Sequence, residues 1–309
     1  MKKILPLALS IVAVIVAISC TKNNDLELLF GKRVKFETNI TATDLATRVA
    51  DNVWDAQDAI GVYVFEESSE TIVEGSGNIE FITNTGGVNG TFTAKDEPIY
   101  FPDNGDKVRF MSYYPYKSQI TSFTYKVDVS NQTSQSAIDL LYSFDRENAY
   151  DKTVLNRTIP LGFDHKLTKI VINVKIGDGL ENSDLKNMEV LLAGLNTKAD
   201  FNLLEEELSN RTAIKDIIPF KQLATKEGFY ASYEAIVIPT DGTPENAKIV
   251  FDFNNVAEVE SNVFSWVFQG ALLGTYKYTY NVMIKRSEII VLATINDWSD
   301  GGENDTDAQ

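Results

Sequence analysis

Histidine and cysteine, which most often carry nucleophilic or metal chemistry, occur once each in the 309 residues, as His165 and Cys20. One of each is too few for a His- or Cys-rich metal cluster. A Ser-His-Asp triad would have to use His165, and no Gly-x-Ser-x-Gly elbow accompanies it. In Phe163-Asp164-His165-Lys166-Leu167 the imidazole reads as a group satisfied at a strand end or domain junction. The 44 acidic residues offer many carboxylate pairs for glycoside hydrolysis, and none stands out from the rest. Gly86-Gly87-Val88-Asn89-Gly90 lies between strand-like segments with no helix after it, so it reads as a hairpin turn, not a phosphate cradle. There is no Walker or dinucleotide motif. Asn-x-Thr triplets at Asn39, Asn89, Asn131 and Asn156 read as chance. The expectation is a non-enzyme with no catalytic, cofactor-binding or metal-binding residues.

Cys20 has a different chemistry in prospect. Met1-Lys2-Lys3 is cationic, and Ile4 to Ile18 is an apolar run ending at Ser19-Cys20. Charge followed by a greasy segment is what an export signal needs. The run is shorter than the ~20 residues of a stable membrane span. A cysteine closing such a segment behind small Ser19 resembles the lipobox of bacterial lipoproteins, although Ala17 stands where leucine is more usual. That resemblance implies cleavage before Cys20, leaving residues 1–19 as signal peptide and diacylglycerol on the Cys20 sulfur. Acyl chains supply attachment at ~0.8 kcal/mol per buried methylene. The outer membrane is then a partner through the lipid.

Of the 28 basic residues, Lys2 and Lys3 leave with the signal, so 26 face 44 acidic ones and the net charge moves from −16 to −18. Such a chain is repelled by nucleic acid and anionic membrane surfaces, and neither is expected as a partner. With 13 Tyr and 17 Phe it is rich in residues suited to a pleated, half-buried surface.

The elements that follow are strands. Ile170, Ile172, Val174 and Ile176 alternate with polar or outward positions. So do Tyr276, Tyr278, Tyr280, Val282 and Ile284, the set Phe123, Tyr125, Val127 and Val129, and Ile249, Phe251 and Phe253. Period-two alternation predicts antiparallel sheets with one buried face, and an all-β fold. The best helical stretch, 214–223, is interrupted by Pro219. Turn chemistry at Asp103-Asn104-Gly105-Asp106, Gly177-Asp178-Gly179 and Asp241-Gly242-Thr243-Pro244 separates short strands at β-sandwich spacing. About seven strands fall between Val34 and Phe144, and about seven between Ile170 and Ile295. The expected division is a tether at 20–33, an N-terminal sandwich at 34–152, a C-terminal sandwich at 153–298 and a disordered acidic tail at 299–309.

Several blocks, in order, resemble the Bacteroidales fimbrillin family, the Mfa-like lipoproteins that build or decorate fimbriae. They are Thr47-Arg48 with Trp54-Asp55-Ala56-Gln57-Asp58-Ala59-Ile60-Gly61-Val62-Tyr63, then Ile99-Tyr100-Phe101-Pro102 and Val108 to Tyr116. Asp139-Leu140-Leu141-Tyr142, Leu161 to Ile170, and Tyr276-Lys277-Tyr278 through Trp298 follow. The resemblance implies two tandem transthyretin-like seven-stranded sandwiches, other fimbrial subunits as partners, and assembly by strand exchange at the cell surface. An Arg-specific protease would cut after Arg48 and free the first strand, with Val34, Phe36, Thr38 and Ile40 as its inward side chains. A neighbour's strand would then add to the groove. Residues 299–309 lack the alternation of a donor strand, which favours a tip, anchor or accessory subunit. The alternative is a non-polymerising surface lipoprotein that binds a glycan or host ligand.

Overall fold

The computed structural model describes residues 33–40, 53–154, 158–253 and 263–298, and every regular element among them is a strand. Seven strands close a barrel. In spatial order they are β1 (Lys35–Ile40), β4 (Asn89–Ala94), β3 (Ile79–Thr83), β2 (Ala59–Glu66), β5 (Val108–Tyr114), β7 (Leu141–Phe144) and β8 (Thr158–His165). All pairs are antiparallel except the closing one, where β1 runs parallel to β8 over six positions from Lys35↔Thr158 to Ile40↔Phe163. Alternation places one side chain in two inward. Phe36, Ile60, Val62, Phe81, Phe92, Phe110, Ile159 and Phe163 meet in a single apolar interior. Strand β2 departs from alternation because both its faces are covered. Ile60 and Val62 enter the barrel, while Tyr63 and Phe65 pack outside it.

What covers that outer face is the rest of the chain. Strands β6 (Thr124–Asp128), β11 (Asn196–Asn202) and β12 (Glu207–Ile214) form one sheet, in the order β12-β11-β6. A five-stranded sheet has the order β13 (Phe220–Lys221), β14 (Ala231–Val237), β9 (Thr168–Ile176), β17 (Tyr276–Ile284) and β18 (Ile289–Asp297). It faces a three-stranded sheet of β10 (Glu189–Ala193), β15 (Lys248–Asp252) and β16 (Val263–Val267). The rings of Trp266 and Phe268 lie 5.0 and 5.7 Å from that of Tyr280, joining the two layers. One apolar cluster runs from Tyr63, Met111 and Tyr142 on the barrel's outer face through Phe201 to Ile170, Ile249 and Tyr280.

The all-β expectation holds, and the 214–223 segment is extended around the short β13. The allocation of strands corrects the expectation of two tandem seven-stranded sandwiches divided at 152/153. Strand β8 lies beyond that boundary yet completes the first barrel. Strand β6 lies before it yet pairs with β11, from Thr124↔Asn202 to Asp128↔Lys198. Ten strands, not about seven, follow β8. The physical reason is apolar area: with Tyr63, Phe65, Met111 and Tyr113 on its outside, the barrel cannot stand in water on that face.

Candidate functional site

The barrel is closed by a strand at the very start of the described chain. Val34, Phe36, Thr38 and Ile40, the four side chains singled out in the sequence, all point inward and all are buried. Phe36 meets Phe81 and Phe110 edge-on, at ring distances of 4.9 and 5.2 Å. The Thr38 hydroxyl donates to the Gly90 carbonyl at 3.2 Å. Opposite it only glycine fits: a Cβ on Gly90 would come within 2.6 Å of the Phe92 ring and 2.9 Å of both Thr38 Oγ1 and the Trp54 ring. Before the strand, the Val34 N–H donates to the Ile99 carbonyl at 2.9 Å. Burying an aromatic or branched side chain contributes about 1.5–3 kcal/mol, so three such side chains hold β1 firmly. Its loss would leave a slot lined by Phe81, Phe92 and Phe110, with unpaired backbone on β4 and β8.

At the end of β1 the barrel meets the second half of the chain. Trp54 packs edge-on against Phe92, Tyr114 and Phe163 at 5.0 to 5.4 Å. A cavity of about 290 Å³ opens beside it, with Ile40, Asp58, Tyr114, Asp139 and Ile236 in its wall. Of the four acids that line it, Asp55, Asp58, Asp139 and Glu234, the last three hold side-chain partners. Asp58 accepts the Tyr114 hydroxyl at 3.0 Å and the Asp55 N–H at 2.7 Å, and burial pushes its pKa up. Asp139 contacts His165 Nδ1 at 3.0 Å, and Glu234 pairs with the buried Lys169 at 2.8 Å. These three contacts hold one element to another, and together they make a structural junction.

His165 is part of the same junction. Its ring stacks on Trp298 with centroids 3.9 Å apart and planes 8° from parallel. The end of β8 is thereby joined to the residue after β18, as the strand-end reading of the imidazole anticipates. Gln132, which sequence reasoning missed, makes a second joint. Its amide nitrogen donates to the carbonyls of Val129 (2.6 Å) and Ile236 (2.9 Å), and its amide oxygen accepts the Ile236 N–H at 2.9 Å. One side chain thus stands in for a strand beside β14. In Ser130-Asn131-Gln132-Thr133-Ser134 it carries no signal that separates it from an ordinary polar loop.

Cys20, Arg48 and the tail at 299–309 lie outside the described residues. Trp54, Tyr63, Tyr113, Tyr114 and Trp298, aromatic marks of the recurring blocks, are all buried.

A seven-stranded barrel joined to stacked sheets through paired charges and aromatic rings defines an all-β protein of layered build. Comparison with known proteins identifies the kind. A family model described as fimbrillin-like matches residues 47–298, and the chain belongs to that family. A protein of Bacteroides uniformis named as fimbrium subunit Fim1C is 32% identical over 265 residues, which is 82% of either chain. Two crystal structures named as cell adhesion proteins are similar in fold. One, from Bacteroides uniformis, has a TM-score of 0.69 and 28% identity, covering 86% of this chain and 98% of its own. The other, from Bacteroides ovatus, has a TM-score of 0.67 and 22% identity with the same coverage.

Proposed function

We propose that this protein is a fimbrial subunit at the cell surface, held to the outer membrane through lipid on Cys20, and that β1 is its exchangeable strand. Cleavage after Arg48 would separate β1 from Val49 onward, and a strand from a neighbouring subunit would take its place between β4 and β8. In this reading it serves as a tip, anchor or accessory subunit and contributes to adhesion. The observation that carries this reading is the position of β1. Among the described strands it forms one side of the barrel's parallel seam, and Arg48 falls in the sequence between it and Trp54.

The alternative, a glycan or host-ligand binder that does not polymerise, calls for an exposed row of Trp and Tyr. Among the described residues Trp54 and Trp298 are buried, Trp266 is half-buried and Tyr100 alone of the tyrosines is exposed, which makes no row. Mass spectrometry of protein isolated from the cell envelope tests the proposal. A chain beginning at Val49, with a lipid-modified fragment beginning at Cys20, is expected. An intact, lipidated N-terminus at Cys20 on all the protein refutes cleavage-driven exchange.

A further inference from the structure

Two Asn-Gly pairs occur in the chain, Asn89-Gly90 and Asn104-Gly105. The pair has a chemistry of its own, because glycine has no Cβ to keep its backbone nitrogen away from the preceding side-chain amide. The fold treats the two pairs in opposite ways. Asn89-Gly90 lies in β4, opposite Asn39 and Thr38 of β1. The Gly90 carbonyl accepts the Thr38 hydroxyl, and the Phe92 and Trp54 rings leave no room for a Cβ at this position. Bringing the Asn89 side chain onto the Gly90 nitrogen would mean turning that peptide out of the strand.

Asn104-Gly105 stands in the loop between Phe101 and β5, and Asn104 is exposed. Its side chain is folded back over the peptide that follows it. The Oδ1 atom accepts the Asp106 N–H at 3.0 Å, and Nδ2 donates to the Asp106 carboxylate at 2.5 Å. Asparagine turns of this kind lay the side-chain amide along the main chain as far as two residues on. Gly105 has a φ of 87°, and nothing beyond its chain neighbours lies within 4 Å of the place a Cβ would take. Its N–H donates to the Pro102 carbonyl over 3.3 Å, just beyond the usual range. The nucleophilic nitrogen is thus lightly held. The amide it would attack is positioned, and the oxygen of that amide already has an N–H donor of the kind that stabilises an oxyanion.

We propose that Asn104 is a self-modification site, at which the Gly105 nitrogen closes on the Asn104 amide and converts it to aspartyl and β-aspartyl residues. The Gly105 nitrogen gives up its proton and forms a bond to Asn104 Cγ. The Cγ–Nδ2 bond breaks, and Nδ2 leaves as ammonia with that proton. Water then opens the five-membered succinimide. Opening at Cγ gives aspartyl, and opening at the main-chain carbonyl gives β-aspartyl, which lengthens the backbone of the turn by one carbon. No electrons are exchanged, and water is the one co-reactant. Each event adds a negative charge next to Asp103, whose carbonyl accepts the Lys152 ammonium at 2.7 Å. This proposal does not depend on cleavage at Arg48.

The test uses residues 20–309 with Cys20→Ser, which removes the one thiol and with it the proposed lipid. The protein is held in mildly alkaline buffer, either folded or in urea, and then digested. Peptides carrying positions 89 and 104 are followed by mass spectrometry, with aspartyl and β-aspartyl forms separated by chromatography. In the folded protein position 104 should convert more than about tenfold faster than position 89 and give both products. In urea the two rates should converge. Equal rates in the folded protein, a position 104 slowed by folding as much as position 89, or aspartyl formed without β-aspartyl overturns the proposal.

Discussion

Replacing Phe36 by alanine tests whether β1 is a separable part of the barrel. The ring is fully buried and touches Phe81 and Phe110 edge-on. Truncating such a phenylalanine costs about 3–5 kcal/mol, transfer and cavity together. At about 1.4 kcal/mol per decade, a strand that detaches independently would open roughly a hundred to a few thousand times more often. Hydrogen exchange read at peptide resolution is the assay. Protection should fall at the partners of β1, residues 89–92 of β4 and 158–163 of β8, while β9 and β17 keep theirs. Phe251→Ala, an equally buried position on β15, serves as control and should leave β4 and β8 protected. If Phe36→Ala loosens β9 and β17 as much as β4 and β8, the strand opens only with the whole molecule. The reasoning that makes it exchangeable then fails.

Two further outcomes follow from the junction. Gln132→Ala leaves the Ile236 N–H and carbonyl without their partner and should cost about 1–3 kcal/mol by urea denaturation. A loss below a few tenths would mean that water replaces the side chain without difficulty. Asp58 holds its proton more tightly folded than unfolded because burial disfavours the carboxylate. Its contribution is therefore present below the ordinary value near 3.8 and is lost as pH rises through the raised folded value. Measured against Asp58→Asn, the wild-type chain should lose relative stability over that window and level off above it. A difference that grows in favour of wild type there contradicts the sign.

Most strands were legible because alternation is a local property. Ile170, Ile172 and Val174 were read as one face and are all buried in the core. The four inward side chains of β1 were equally plain. The destinations of strands were not. Thr158–His165 alternates well, with Ile159, Leu161 and Phe163 inward, but a division at 152/153 sets it apart from the strands it joins. Nothing local says that it pairs in parallel with β1 from more than a hundred residues away. Strand β6 likewise looks like any other strand of the first half, and only the apolar outside of β2 and β5 explains why it crosses to β11. Gln132 was invisible for a different reason: its role lies in two backbone groups of Ile236, which have no side-chain signature.

The seam between β1 and β8 has a mechanical meaning. If β1 is exchanged as proposed, a load carried by the assembly would enter the subunit through the strand in this slot. Tension along β1 acts parallel to its six-position pairing with β8 and its four-position pairing with β4. Hydrogen bonds on both sides are then sheared together, as in a lap joint, and are not peeled one at a time. With Phe36 and Ile40 seated in the interior, sliding the strand by one residue would also turn both side chains out of the barrel. A strand in this slot resists pulling far better than it resists lifting from one end. Were β1 exchanged as proposed, the slot would suit a connection made once, by insertion, and afterwards kept under strain.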